Sequence, residues 1–348
     1  MVASHGYAFF EQGGAPQPFS FERRDPGPQD VVIDITHCGI CHSDKHFVDN
    51  DWKASKYPLV PGHEIIGTVR EVGAAVTGFQ PGDLAGIGCL VDSCRECEPC
   101  RQGQEQACEQ RGTATYNGVE RGTGRPTYGG YSNNYVVDER FALRIPATID
   151  PAAAAPLLCA GITTYSPLRH WGVEAGQTVG VVGLGGLGHM AVKFASAFGA
   201  RVVLFTTSPG KADDARRLGA DEVVVSTERS SMKTLRGSLD FILDTVSAPH
   251  DLNSYLALLR RDATMCLVGM PESPSPVAAA MLVGGRKRLA GSAIGGLPET
   301  QEMLDFCGSH GIASDIEQIA VDGIADAHER MVRGDVKYRF VIDMGTLA

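Results

Sequence analysis

Val179-Gly180-Val181-Val182-Gly183-Leu184-Gly185-Gly186-Leu187-Gly188-His189 is the stretch whose reading decides the fold. Four small apolar residues suit a buried strand, and the glycines at 183, 185, 186 and 188, with Leu187 between them, suit a tight turn. His189 to Phe198 then takes helical spacing. A glycine fingerprint is weak alone. Between a strand and a helix it lets the backbone approach a pyrophosphate, which the helix N-terminus then stabilises. An ordinary tight turn is the plain alternative. Val202-Val203-Leu204-Phe205, Glu222-Val223-Val224-Val225, Phe241-Ile242-Leu243 and Met265-Cys266-Leu267-Val268 are further short apolar runs of parallel-strand type, with helical stretches such as Ser254 to Leu259 between them. This alternation predicts an α/β doubly wound parallel sheet.

The end of the second strand chooses the dinucleotide. An NAD-binding chain places Asp or Glu there for the ribose hydroxyls. Here the strand runs out through Thr206-Thr207-Ser208-Pro209-Gly210-Lys211. Hydroxyls and a cation suit a 2′-phosphate, so NADP(H) is expected, and Asp213 and Asp214 come a turn too late to replace the carboxylate.

At 348 residues the chain has room for two domains, and 43 % hydrophobic residues let each bury a core. A net charge of −10 argues against a nucleic-acid or anionic-membrane partner. Met1 to Gly6 lacks the charged-then-apolar pattern of a secretory signal, and no apolar run approaches the ~20 residues of a membrane span. A cytoplasmic protein is therefore expected, in which ten cysteines call for metal rather than disulfides.

The part before the fingerprint reads as β-rich to about Thr148. Val31 to Ile35, Glu64 to Gly73 and Leu84 to Ile87 are strand-like runs bounded by Gly and Pro. Ala152 to Leu158 is small and apolar, suited to a helix joining two domains. After Gly291 the pattern turns mixed, with a helix near Glu299 to His310 and a last strand, Tyr338 to Asp343.

The chemistry concentrates in Gly39-Ile40-Cys41-His42-Ser43-Asp44-Lys45-His46 and Pro61-Gly62-His63-Glu64. Thiolate, imidazole and carboxylate are the ligand types of a catalytic zinc that keeps one position open. Cys41 and His63 supply two ligands. Spacing leaves the third open between Cys159 and Cys89, and Cys38, in Cys-x2-Cys spacing with Cys41, could also chelate. Cys266 and Cys307 read as core or surface thiols. Separately, Cys94, Cys97, Cys100 and Cys108 form C-x2-C-x2-C-x7-C. Four thiolates so close can surround one zinc and leave no place for substrate, so this site would hold its loop (89–112) together. A zinc ribbon for nucleic acid would bring basic residues, whereas Glu96, Glu98, Glu105 and Glu109 stand here.

These motifs, with Ala155 to Thr163 and Gly291 to Gly296, make the chain resemble the zinc-dependent medium-chain alcohol dehydrogenases along nearly its whole length. Within them it looks like the cinnamyl-alcohol-dehydrogenase branch, and most like the bacterial broad-range NADPH-dependent aldehyde reductases. The resemblance implies a GroES-like catalytic domain over 1–154, a Rossmann cofactor domain over 155–292, and a return of 293–348 to the first. It implies zinc on Cys41, His63 and Cys159, with water, substrate or transiently Glu64 in the fourth place. With two Zn²⁺ per chain expected, Asp44 becomes a partner of His63, while Ser43 and His46 become a proton relay. His42 would face the cofactor pyrophosphate, and Trp52, Cys89 and Ile294 would be pocket walls. Each of these could instead be a solvated or packing residue. Family members commonly pair through the cofactor-domain sheet edge, so a homodimer is expected.

Three functions remain to be separated. The leading one is an NADP-dependent alcohol dehydrogenase or aldehyde reductase acting on primary alcohols and aldehydes. A zinc polyol dehydrogenase would favour NAD and a carboxylate where Thr206 to Ser208 stand. A non-enzymatic NADP-binding redox sensor would not need Ser43, His46 and an open ligand set together.

Overall fold

The computed structural model describes residues 1–347 apart from Glu272 and the Arg229 side chain. Contacts divide the chain into two units, Met1–Ile162 with Gly295–Ala348, and Thr163–Ile294. The first unit thus runs eight residues past the boundary expected at 154. The reason is local: the 3-10 turn Ala155–Leu158 is fully buried and packs on the sheet of the first unit. That turn follows the short helix Pro151–Ala154, which Asp150 caps through the Ala153 N–H. Pro156 lacks an N–H and stops the run from continuing as one helix.

The first unit is built on a seven-stranded sheet. In order it runs Ile316–Ala320, Arg339–Asp343, Asp30–Gly39, Ile65–Val72, Leu84–Ile87 and Leu143–Arg144, with Asn134–Asp138 also pairing with Asp30–Gly39. Asp30–Gly39 is central because it is apolar on both faces. Val31, Val32 and Ile33 are all fully buried, and such a strand must be covered above and below. Its Cys38 end pairs with Ile65 on one side and Ile342 on the other. The return of the C-terminal segment to the first unit, implied above only by resemblance, is therefore a strand inserted beside the strand that leads into Cys41.

Several parts of this unit went unread in the sequence, among them the strands Asn134–Asp138 and Ile316–Ala320, a hairpin and a helix. Val2–Ala8 and Gln17–Arg23 form an antiparallel hairpin; the second strand alternates polar and apolar residues too weakly to stand out. The helix Ile324–Val332 buries Ile324, Ala327, His328 and Met331 on one face.

The second unit holds a six-stranded parallel sheet in the order Glu222–Val225, Arg201–Thr206, Thr178–Val182, Leu239–Asp244, Leu259–Leu267, Arg288–Gly291. Five of these are the apolar runs recognised in the sequence. The sixth, Arg288–Gly291, is a short half-exposed edge strand behind a basic run that reads as a solvated face. Chain order reverses between Thr178–Val182 and Leu239–Asp244, the place where such sheets open a crevice at their carboxyl ends. Among the described residues no helix is long and apolar enough to cross a membrane.

Ile342 is fully buried and paired with Cys38. Replacing it with Ala should destabilise the protein by about 2–5 kcal/mol, read from the denaturant midpoint. A change below about 0.5 kcal/mol, the size of an ordinary surface effect, would show that the returning strand is not part of the core.

Candidate active site

Cys41 ends the loop after the central strand and is the N-cap of the helix His42–Val48. The cap is closed by Asp44, whose Oδ2 accepts the Cys41 N–H at 2.8 Å. Asp44 is completely buried, so each oxygen needs donors within the protein. Oδ1 accepts the Gly62 N–H at 3.2 Å and lies 3.2 Å from His63 Nδ1. Oδ2 also accepts from the Tyr131 hydroxyl at 3.4 Å, and Tyr131 in turn lies 3.3 Å from His328 Nε2. A carboxylate only accepts, so His63 Nδ1 carries the proton and the Nε2 lone pair is left for a metal.

Cys41, His63, Glu64 and Cys159 are all buried, and one donor atom from each lies within 4.8 Å of the others. The two thiols are 4.0 Å apart. Zn–S bonds of about 2.3 Å set a tetrahedral S···S edge of about 3.8 Å, so the spacing fits one zinc. Glu64 Oε1 pairs with Arg339 Nη2, while Oε2 is buried with no hydrogen-bond partner. One carboxylate oxygen of Glu64 belongs to the donor set, and no hydrogen bond to Oε2 competes with a divalent cation for the carboxylate. Gly39 makes the arrangement possible, because a Cβ there would meet Glu64 Oε2 at 1.9 Å.

All four donors belong to the first unit. Cys159 is not brought in from the cofactor domain; it follows the buried 3-10 turn that the first unit keeps. Of the two cysteines that spacing left open, Cys159 belongs to this donor set. The Cys89 sulfur lies outside the set and approaches the Leu158 carbonyl at 3.8 Å. Cys38 is fully buried, turned against Gly62 and Gly130, with burial raising its thiol well above the ordinary range.

The electrostatics suit a cation. The hydrogen bond with Cys159 lowers the Cys41 thiol well below its usual value against burial, and Arg339 and His63 add to this. Cys159 is raised correspondingly by the same bond, so the pair shares one proton. Burial alone would lower the His63 pKa, but Asp44 holds it well above the ordinary value. Burial lifts the Glu64 carboxyl to about 7, opposed by Arg339. Arg339 itself, on the returning strand, also donates to the Ile40 carbonyl at 2.9 Å. Sequence reasoning missed Arg339, Tyr131 and His328; a buried Glu64 required a cation, but nothing in the spacing said which.

Ser43 and His46 sit one turn apart on the helix His42–Val48, hence on one face. His46 Nδ1 lies 2.8 Å from Asp51 Oδ2, which leaves Nε2 open. Trp52 packs 5.1 Å from the His46 ring and edge-on to Phe47. His42 is exposed at the first turn. Ile294 closes the second unit at φ +43°, a left-handed conformation rare for a β-branched residue.

The four-cysteine loop forms a second donor set: Cys94, Cys97, Cys100 and Cys108 also lie within 4.8 Å of one another. Cys94 and Cys100 are 3.8 Å apart, again the edge expected for zinc. The Cys97 N–H donates to Cys94 Sγ and the Cys94 N–H to Cys108 Sγ, each at 3.4 Å. Backbone donors, Cys97 first, lower the Cys94 thiol to about 6.

In the second unit the glycine turn has the shape its residues predict. Gly183 is at φ +91°, and a Cβ on Gly188 would strike the Gly183 carbonyl at 2.1 Å. Gly185 faces open space, where a pyrophosphate could approach. Gly186 and Leu187 lead into the helix Gly188–Ala197. Thr206 ends its strand with Oγ1 accepting the Ser208 N–H at 3.1 Å, and Thr207 is exposed beside it. The Lys211 amine reaches back to the Leu184 carbonyl at 2.9 Å, which places a cation at the glycine turn.

Residues 27–147 match the model of the alcohol dehydrogenase GroES-like domain, and residues 186–309 match that of the zinc-binding dehydrogenases. The chain is 55 % identical to the aldehyde reductase YahK of Escherichia coli, over 95 % of each chain. It superposes on a cinnamyl alcohol dehydrogenase of Sorghum bicolor with a TM-score of 0.96 and 46 % identity, covering 99 % of this chain and 98 % of that one. It also superposes on the cinnamyl alcohol dehydrogenase of Helicobacter pylori solved with NADP(H), with a TM-score of 0.93 and 42 % identity over 99 % of both chains.

Asp44→Asn keeps the size of the side chain but weakens its hold on His63. Zinc retention, measured by competition with a chelator, should fall about 10- to 100-fold. Unchanged retention would mean that Asp44 does not orient the ligand.

Proposed function

The chain belongs to the zinc-binding alcohol dehydrogenases, in the branch that contains the cinnamyl alcohol dehydrogenases, and from that premise we propose that it reduces aldehydes to primary alcohols with NADPH. The reverse oxidation uses the same groups. The carrying observation is the buried donor set Cys41, His63, Glu64 and Cys159, in which Glu64 Oε2 has no hydrogen-bond partner. Zinc bound there supplies a Lewis acid for the carbonyl, and NADPH supplies the hydride.

The chain's own residues do the rest. Asp44 holds His63 in the tautomer that leaves Nε2 free. Arg339 pairs with Glu64 Oε1 and favours its ionised form against burial, so that this carboxylate is a fourth ligand only in passing. The Ser43 hydroxyl delivers the proton that the product alcohol needs. His46, steadied at Nδ1 by Asp51, has Nε2 open to exchange that proton with solvent. Family resemblance assigns His42 to the cofactor pyrophosphate. Family resemblance assigns Trp52, Cys89 and Ile294 to substrate contact, and the relatives of this branch make aliphatic and aromatic aldehydes the substrates to test.

The four-cysteine loop holds a second, structural zinc, which makes two per chain. Four thiolates would fill the coordination shell of that zinc, which leaves it no place for substrate. The hydroxyls of Thr206, Thr207 and Ser208 and the amine of Lys211 receive the 2′-phosphate of NADP(H). Glycine turn and helix N-terminus receive the pyrophosphate. A polyol dehydrogenase working with NAD lacks support from this strand end. A cytoplasmic homodimer completes the reading.

NADPH oxidation should proceed with a panel of aliphatic and aromatic aldehydes, and Cys41→Ser should abolish it while leaving NADPH binding intact. Turnover that survives in the zinc-free protein would refute the assignment. Lys211→Glu should raise the Kd for NADPH more than that for NADH, measured by nicotinamide fluorescence. Equal losses would remove Lys211 from phosphate recognition.

A further inference from the structure

The loop 245–251 leaves the strand Leu239–Asp244 at the crevice end of the sheet and leads into the helix Leu252–Leu256. It forms one wall of the glycine turn. Thr245 donates to the Val182 carbonyl through its N–H at 3.1 Å and its hydroxyl at 2.8 Å. A Cβ on Gly183 would meet Val246 at 2.8 Å, and one on Gly188 would meet Thr245 at 3.3 Å. The position of this loop therefore sets the room available where a pyrophosphate would lie.

His250 anchors the other end of the loop. Its Nε2 is 2.9 Å from Asp244 Oδ2 and its Nδ1 is 2.9 Å from the Ala248 carbonyl. Both partners only accept, so both ring nitrogens must carry protons. A neutral ring would leave a lone pair facing an oxygen at hydrogen-bond distance, whichever tautomer it took. Asp244 is itself buried, and its Oδ1 accepts the Val246 N–H at 3.1 Å. One carboxylate thus ties the imidazolium to the residue that touches Gly183.

We propose that His250, held as an imidazolium by Asp244 and the Ala248 carbonyl, is a positioning residue that pins the 245–251 loop against the glycine turn, and that NADP(H) affinity falls when the ring loses its second proton. The inference rests on the assignment of this unit as the cofactor site. The other titratable groups around the ring are Asp251 at the helix cap, Tyr255 edge-on at 5.8 Å, and Cys266 on the next strand, which feels the same Asp244 charge. The hydrogen bond from Asp244 raises the His250 pKa above its ordinary value of 6.5, against partial burial. The pinned state therefore holds below the raised value and is lost as pH rises through it.

The test is the Kd for NADPH, measured with the zinc-loaded protein between pH 7 and 9.5, where a phosphate monoester with a second pKa near about 6 stays doubly ionised. The wild type should weaken by at least about fivefold across this range. His250→Gln should be weak throughout and lack that transition. Asp244→Asn should move the midpoint down by about one unit or more, since it removes the charge that stabilises the imidazolium. Nitrogen-15 NMR of the wild-type ring should show both nitrogens protonated at pH 7. A flat wild-type profile, the same transition in His250→Gln, or a singly protonated ring at pH 7 would overturn the proposal. Failure to bind NADPH at any pH would instead overturn the cofactor assignment, and the proposal with it.

Discussion

A single buried carboxylate, Asp44, ties the catalytic segment together. Fully buried charge is costly unless its hydrogen-bonding capacity is met. Here it is met by the Cys41 N–H, the Gly62 N–H, His63 Nδ1 and the Tyr131 hydroxyl. Two of these donors belong to metal-ligand residues and a third to the residue just before His63. The carboxylate therefore fixes the helix cap, the approach of the Pro61-Gly62 turn and the tautomer of His63 at once. Its burial excludes water, which would otherwise compete for the same donors.

Glu64 and Arg339 extend the constraint to the far end of the chain. A buried ion pair is a weak source of stability, because desolvation opposes the attraction. Its value here is placement. Arg339 reaches the site because Arg339–Asp343 lies beside Asp30–Gly39, and it grips both the Ile40 carbonyl and Glu64. Residues 275 positions apart are thus locked across one sheet. The unpartnered Glu64 oxygen keeps the donor set attractive to a cation.

Much of this could be read in the residues, and the reasons for the gaps are physical. Five apolar runs gave the parallel sheet because strands buried on both faces have no polar alternation to blur them. The sixth, Arg288–Gly291, is an edge strand and half-exposed, so its pattern is faint. Metal-ligand types at short range, Cys41 with His63 and the four-cysteine loop, were legible from spacing. Cys159 needed a family resemblance, since spacing treats it and Cys89 alike; the fold separates them by the 3-10 turn before Cys159. The boundary near 154 missed that turn because small apolar residues suit either domain's core. Arg339, Tyr131 and His328 are long-range partners, and no local signal marks an arginine whose role is to satisfy a carboxylate 275 positions away or a tyrosine that reaches one 87 positions away.

One open site with two sulfur ligands and one closed site with four would share this chain. Zinc X-ray absorption of the purified protein tests it directly. The account predicts two zinc ions per chain and an average of three sulfur ligands per ion, with nitrogen or oxygen completing four-coordination. A single zinc per chain, or a higher sulfur average that makes Cys89 or Cys38 a ligand, would contradict it.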